Sequence, residues 1–364
     1  MSQSAFSLDF AGARTRFREA AAAAGASLDT HSYPMSGPSG EDLSTDVAWI
    51  GPRDAENVFV TVSGTHGVEG FCGSAAQIDW LSRGEASRLQ PTTAAMLVHA
   101  INPYGFAWFR RVTHENVDLN RNWIDFSGEL PHRREYDDIA SALCPSEWTA
   151  ESQAQTLATL HSYIAKHGQA AFVEAVSGGQ YHHAQGLFYG GIAPTAARRT
   201  LESIFSARLS GARHVGIIDY HTGLGPFGYG ELMVNAARGS GMYERARSWY
   251  GTTVTPVGGP DSASATIGGD WLSAASKLLP NALVSAIAIE FGTVPLLQVL
   301  DALRADNWLH AHGNPEASWP NPIKQQILSA FYVDSDLWRG MVLGQSLAVC
   351  RQTIAGLQSC QLNS

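Results

Sequence analysis

Cysteine is scarce in this chain. Cys72, Cys144, Cys350 and Cys360 lie far apart, and no two form the CxxC spacing of a zinc knuckle or redox motif, so disulfides do not hold the fold together. Long apolar runs are missing too. None reaches the ~18 residues that a spanning helix needs, and residues 1–18 lack the basic and apolar regions of a secretory leader. These absences lead us to expect a soluble, cytoplasmic protein with no membrane partner. Positive charge is in deficit: Lys and Arg number 24 against 33 Asp and Glu, a net charge of −9, which leaves no electrostatic footprint for a nucleic-acid backbone or an anionic membrane. With 16% charged and 45% hydrophobic residues the chain is too apolar to be disordered, and its 36 Gly and 16 Pro follow no period, which excludes a collagen-like chain.

What is present is an alternation. Apolar or β-branched runs at 47–50, 57–63, 96–101, 214–220 and 283–291 read as strands, several of them nearly continuous in the manner of buried parallel strands. Helical patterns occupy 5–26, 69–82, 151–167, 169–176, 194–209, 238–250, 295–312 and 336–357. Strand and helix in turn predict an α/β fold with a mixed, mostly parallel sheet flanked by helices. Neither an internal repeat nor a separating linker is visible, so the expectation is a single domain over 1–364, with an N-terminal helix at about 5–26 and a helical C-terminal segment at about 295–360. The Gly/Ser/Pro-rich stretch 258–270 is too central for a linker and reads as an active-site loop.

The polar residues fall at strand ends. His66 and Glu69 stand three apart where the second run turns into a helix, a spacing that can aim both at one ion. The third run leads into Ile101-Asn102-Pro103-Tyr104-Gly105, then Arg110-Arg111 and Asn116-Val117-Asp118-Leu119-Asn120-Arg121-Asn122-Trp123. His221 follows the fourth run, where open α/β sheets place their ligands. Glu290 ends the last, and apolar surroundings there would raise its pKa toward the range useful for proton transfer. Two His and one Glu make a three-ligand zinc site that leaves a fourth position for water, as in catalytic sites.

HxxE, Asp-x-Asn-Arg, a later strand-end His and a last strand-end Glu, in this order, resemble the zinc carboxypeptidase superfamily. Asn102-Pro103 and Asp118-Leu119-Asn120-Arg121 look most like its aspartoacylase and succinylglutamate desuccinylase side. The longer strings SGTHGVEGFCGS, INPYGFAWFRR and DLNRNW are similar to a bacterial branch, DUF2817. The resemblance covers about 46–295. It implies one zinc per chain on His66, Glu69 and His221, with Glu290 taking a proton from the attacking water and handing it to the leaving group. It further implies that Asn120 and Arg121 grip a substrate carboxylate, that Asp118 accepts the free ring N–H of His66, and that Arg111, rather than its neighbour Arg110, stabilises the oxyanion. The implied reaction is amide hydrolysis by a carboxypeptidase or an N-acyl amino acid deacylase, on a small molecule or peptide bearing a free carboxylate. An esterase or lactonase with the same chemistry is the alternative, as is a non-catalytic protein that binds carboxylate ligands.

Two departures from the superfamily stand out. The stretch 258–270 holds no tyrosine of the digestive carboxypeptidase kind, for which Tyr181, Tyr220 or Tyr229 could stand in, and the C-terminal segment reads as helical where the desuccinylase side carries a β-rich domain. Plain roles are expected for Cys72 as a buried small hydrophobe, for His182-His183 as a polar loop pair rather than a second metal site, and for His99 and His114 as structural or rim residues. Trp108 and Trp123 fit a pocket wall or ordinary core equally well.

Overall fold

The run Asn57–Val62 is buried at every position, as is Thr93–His99, and these two strands lie side by side inside an eight-stranded sheet. A strand covered on both faces needs no polar alternation, which is why both read as continuous apolar runs. The computed structural model describes residues 5–317 and 319–360. In chain order its first half holds α1 (Phe10–Ala23), β1 (Ser27–Ser36), β2 (Asp42–Ile50), β3 (Asn57–Val62), α2 (Gly70–Ser82), β4 (Thr93–His99) and α3 (Pro103–Ala107). Helices α4 (Arg134–Asp137), α5 (Ala140–Leu143), α6 (Ala150–His167), α7 (Gln169–Ser177) and α8 (Ala196–Leu209) follow without a strand. The second half adds β5 (His214–Phe227), β6 (Gly230–Val234), α9 (Gly241–Tyr250), β7 (Thr255–Pro256), α10 (Trp271–Leu278), β8 (Leu283–Gly292), α11 (Leu296–His312), α12 (Pro322–Phe331) and α13 (Asp336–Cys360).

The strand order is β1-β2-β4-β3-β5-β8-β6-β7. The centre β4-β3-β5-β8 is parallel, as is the edge pair β6-β7, while β1-β2, β2-β4 and β8-β6 are antiparallel. The fold is thus the mixed, mostly parallel α/β sheet expected. Helices cover both faces, as alternation along β5 shows. Tyr220 turns toward α13, where its hydroxyl meets the Cys350 thiol at 3.4 Å, while Asp219 turns the other way toward Trp271 of α10.

Three strands went unread in the sequence. β1 lies at the sheet edge, buries only Tyr33 and carries Pro34, which an edge tolerates because one row of its N–H groups faces no partner. β6 is five residues long and β7 two, too short for a period to show. β5 continues past residue 220 to Phe227, and its pairing with β8 shifts register between Gly223 and Phe227. The helical C-terminal segment is present as α11, α12 and α13. Cys72, Cys144 and Cys350 are free thiols, and the Cys360 side chain lies outside the described residues. Among the described residues no helix is long and apolar enough to cross a membrane.

Candidate metal centre and active site

Topology brings the polar residues together before any side chain is considered. β3 and β8 both pair with β5 in parallel, so their C-terminal ends lie at one edge of the sheet, and His221 and Glu290 are direct register partners on β5 and β8. His66 sits four residues beyond β3 and enters a short 3-10 turn, Gly67–Glu69, that leads into α2. This turn is held from below: the Gly67 and Val68 N–H groups donate to the Arg111 and Arg110 carbonyls at 3.1 and 2.8 Å. Glycine is required here, since a Cβ on Gly67 would come within 2.0 Å of the Gly105 carbonyl carbon. Asn102 caps α3 by accepting from the Gly105 N–H at 3.0 Å, which fixes that close approach.

His66, Glu69 and His221 converge, their ligand atoms all lying within 4.8 Å of one another, and all three side chains are buried. His66 Nδ1 is 2.9 Å from Glu69 Oε1, His221 Nδ1 is 2.9 Å from Glu69 Oε2, and the two Nδ1 atoms are 3.1 Å apart. The far ring nitrogens are engaged elsewhere: His66 Nε2 meets Asp118 at 3.1 Å and His221 Nε2 meets Asp219 at 2.7 Å. Each carboxylate fixes the tautomer of its imidazole and turns a lone pair toward the centre. Two such lone pairs facing a carboxylate at these distances call for a cation between them, so the donor set fits a divalent metal.

The electrostatics agree. Burial opposes the charged form of Glu69, but the charge of His66 and the hydrogen bond from His221 outweigh it and hold the carboxyl below its ordinary value. Asp118, buried as well, is held well below the usual range by Arg111, Arg121 and His66. Burial lowers the basicity of His221, yet Asp219 and Glu69 raise it well above the ordinary imidazole value, which favours a proton or another cation at that spot. Glu290 behaves oppositely: burial first, and the charge of Glu69 second, push its carboxyl up to about 8. Its Oε1 accepts from the Leu224 N–H at 2.9 Å.

The two adjacent arginines part company. Arg111 enters the site, donating from Nη1 to Glu69 at 3.0 Å and from Nε to Asp118 at 3.1 Å, whereas Arg110 turns away to Asp306 and Asn116. Arg121 lines the same cavity but is partly committed, with Nε and Nη2 on the Ser177 carbonyl and Nη1 on that of Asn120. A guanidinium has five N–H groups, so one remains on each terminal nitrogen, enough for an end-on grip of a carboxylate. The ring of Phe188 lies 5.4 Å from the Arg111 guanidinium and 5.5 Å from that of Arg121, on a backbone with φ of 53°. A phenylalanine held in that left-handed conformation marks a constrained position. Asn120 also lines the cavity, its Oδ1 accepting from the Trp271 N–H at 3.4 Å.

The stretch 258–270 runs along the cavity, contributing Ala263, Ser264, Ala265, Ile267 and Asp270 to its lining. No tyrosine lines it among the described residues. Tyr181 donates to the Arg121 carbonyl at 2.7 Å, Tyr220 faces α13, and Tyr229 is exposed at the β5–β6 turn. The other candidates do not line the cavity. Cys72 is buried in α2 with its thiol pushed up by burial, and His99 stacks on Phe17 and bonds Ser74 in the core. His114 bonds Tyr33, and His183 bonds Asp137. His66, Glu69 and His221 form the one metal-capable cluster among the described residues. Trp108 packs in the core with its indole N–H on the Ser36 carbonyl, and Trp123 stacks under Arg198.

Sequence reasoning missed Asp219 and Trp271. Asp219 is buried and accepts from His221, Thr65 and the Trp271 indole N–H, the latter two at 2.7 and 2.6 Å. A signal was there: residues i and i+2 on a strand share a face, so an Asp two before a candidate ligand is placed to orient it.

The family described as "Protein of unknown function (DUF2817)" matches residues 6–345. The chain belongs to this family. No curated protein matches it. Among solved structures, this DUF2817 chain is similar to an aspartoacylase family protein from Mesorhizobium loti, at 12% identity and a TM-score of 0.36 over 79% of this chain and 67% of that one. It is similar to the carboxypeptidase A of Helicoverpa armigera at 10% and 0.43, over 88% and 73% of the two chains. For the succinylglutamate desuccinylase of Chromobacterium violaceum the values are 13% and 0.38, over 84% and 76%. The buried His66, Glu69 and His221 cluster suits metal-assisted hydrolysis.

Proposed function

We propose that this DUF2817 protein is a zinc-dependent hydrolase that cleaves an amide bond in a substrate bearing a free carboxylate, either as a carboxypeptidase or as an N-acyl amino acid deacylase. The observation that carries the reading is the convergence of His66, Glu69 and His221 within 4.8 Å, with Glu290 as the register partner of His221. Zinc held by these three residues supplies a Lewis acid for the scissile carbonyl and lowers the pKa of water. Asp118 and Asp219 hold the two imidazoles in the tautomer that presents Nδ1. Glu290 accepts a proton from the attacking water and passes it to the leaving nitrogen, a task for which a carboxyl raised by burial is suited. Arg111 faces the carbonyl oxygen as negative charge develops there. Arg121 and Asn120 orient the substrate carboxylate through the two N–H groups that Arg121 keeps free of backbone partners.

Two measurements test this. The purified protein should contain about one zinc per chain, and Glu290→Gln should keep that stoichiometry while turnover falls by roughly 10² or more. Wild-type turnover in this variant, or a protein that takes up no zinc, would remove the mechanism.

A further inference from the structure

Glu231 stands inside the sheet on β6, only 5% exposed, as the direct register partner of Glu290 on β8. Partners across an antiparallel pair share a face, and two acids opposite each other disfavour the pairing. Among the described residues no cation offsets this, for the groups that meet Glu231 are neutral: Oε1 accepts from the Thr255 hydroxyl at 2.5 Å and Oε2 from the Ala263 N–H at 3.0 Å. An apolar residue would suit a buried strand and would spare the cost of desolvating an acid. What a glutamate adds here is a pair of acceptors that reach beyond its own strand to two other segments.

The two donors belong to β7 and to the stretch 258–270, whose Ala263, Ser264, Ala265 and Ile267 line the cavity of His66, His221 and Glu290. That stretch forms neither helix nor strand, and it is fixed at its ends. The Val257 N–H donates to the Val234 carbonyl at 3.0 Å, and the Trp123 N–H to that of Gly269 at 2.9 Å. Between these ends its attachments are slight. Asp261 pairs with Arg238 at 3.0 Å where both are exposed, and such a pair contributes little. The Ser262 hydroxyl meets the Met233 sulfur, a weak acceptor, at 3.3 Å. The bond from the Ala263 N–H to Glu231 is the strong link between the middle of the stretch and the sheet.

We infer that Glu231 is a positioning residue: from beside Glu290 it ties Ala263 to β6, and so sets where Ser264, Ala265 and Ile267 stand in the cavity wall and how the substrate is seated against them. Glu231 does not line the cavity itself and acts through the stretch it holds. The inference rests on the hydrolase reading for what the cavity binds, but not for what Glu231 holds. A wall met equally by substrate and transition state governs KM and leaves kcat alone.

The test compares the zinc-loaded full chain with its Glu231→Leu and Glu231→Gln variants. Hydrogen exchange over 262–267 is followed by mass spectrometry of peptides. N-benzoylglycine and N-benzoylglycylphenylalanine serve as carboxylate-bearing probes, their affinity read by calorimetry and their hydrolysis by product release. In Glu231→Leu, exchange over 262–267 should quicken and both affinities should fall, each by about tenfold, the worth of one hydrogen bond to a charged group. Exchange in β5 and β8 and the zinc content should stay as they are. For whichever probe is cleaved, KM should rise about tenfold while kcat stays within about twofold. Glu231→Gln should rescue both affinity and exchange, because an amide can accept from Ala263 through its oxygen and donate to the Thr255 hydroxyl through its nitrogen. Ala263→Pro deletes the N–H at the other end of the bond and should weaken probe binding as Glu231→Leu does, which keeps the test decisive if the leucine variant does not fold. Unchanged exchange over 262–267 in Glu231→Leu, faster exchange there with both affinities unchanged, or a Glu231→Gln variant as impaired as Glu231→Leu overturns the inference. A wild-type protein that binds neither probe counts against the hydrolase reading alone, and exchange over 262–267 then decides whether Glu231 holds the stretch.

Discussion

Arg110 and Arg111 are neighbours in the chain and members of two different buried ionic clusters. Arg110 joins Asp306, Lys324 and His310 between α11 and α12. Asp306 Oδ2 accepts from Arg110 at 3.1 Å, its Oδ1 takes the Lys324 ammonium, and Lys324 lies 2.6 Å from His310 Nε2. In that cluster cations surround an anion and every charge has a partner. Burial, followed by the charge of Arg110, drives the basicity of His310 down to about 2, so the ring adds no further charge. Arg111 instead donates to two carboxylates, Glu69 and Asp118, which with Asp219 on His221 gather round two imidazoles, and Arg121 is the next cation, 4.0 Å from Asp118. The first cluster is complete in itself. The second has more acceptors than donors at its centre, and that imbalance distinguishes a place built to hold a cation from one built to hold two helices together.

The comparison breaks most sharply at the ligands. His66→Ala or His221→Ala should abolish zinc binding and turnover together while the melting transition moves little, because a catalytic metal site contributes little to the stability of so large a core. Full zinc content by elemental analysis in either variant would erase the distinction. In the other cluster the pattern should invert: Asp306→Ala strands two buried cations and should cost about 3–5 kcal/mol in denaturant unfolding, with zinc stoichiometry retained in the folded fraction. A smaller effect is expected one step out from the metal. Asp219→Asn removes the charged partner of His221 and should weaken zinc affinity by about 10–100-fold, measured by competition with a chelator.

The smallest effect concerns pH and a third ion cluster, remote from both. Asp46 is buried, which raises its pKa, but hydrogen bonds from Arg14 and Thr30 and the charges of Arg14 and Arg18 outweigh burial and hold it below its ordinary value of 3.8. A carboxyl depressed in the folded state contributes stability that is present above the unfolded pKa and lost as pH falls through the folded one. Stability should therefore decline below about pH 4, and Asp46→Asn should flatten that acid limb in melts recorded across pH. An unchanged acid limb would show that the pair contributes nothing there.

Much of this was legible along the chain. Strands buried on both faces must be apolar throughout, so the runs that became β3, β4, β5 and β8 stood out, and with them the positions of His66 and Glu290 near strand ends, whereas His221, expected at a strand end, lies inside β5, which runs on to Phe227. The short and edge strands were not legible, because β1 is polar and half-exposed and β7 spans two residues, so neither carries a period. Nor was Asp219 singled out, although its spacing from His221 places the two on one face of β5.

Residue order and hydrophobic pattern by themselves determined the α/β class, the parallel centre of the sheet and the candidate acids, bases and ligands, because each of these depends on local periodicity and on where a run ends. Only the tertiary structure decided which arginine of an adjacent pair reaches the site, how much of the Arg121 fork stays free, and that residues of α7 and α11, more than a hundred residues apart, line one cavity with Glu290. Such outcomes depend on contacts between segments distant in the chain, and neither propensity nor spacing encodes the direction in which a long side chain leaves the backbone.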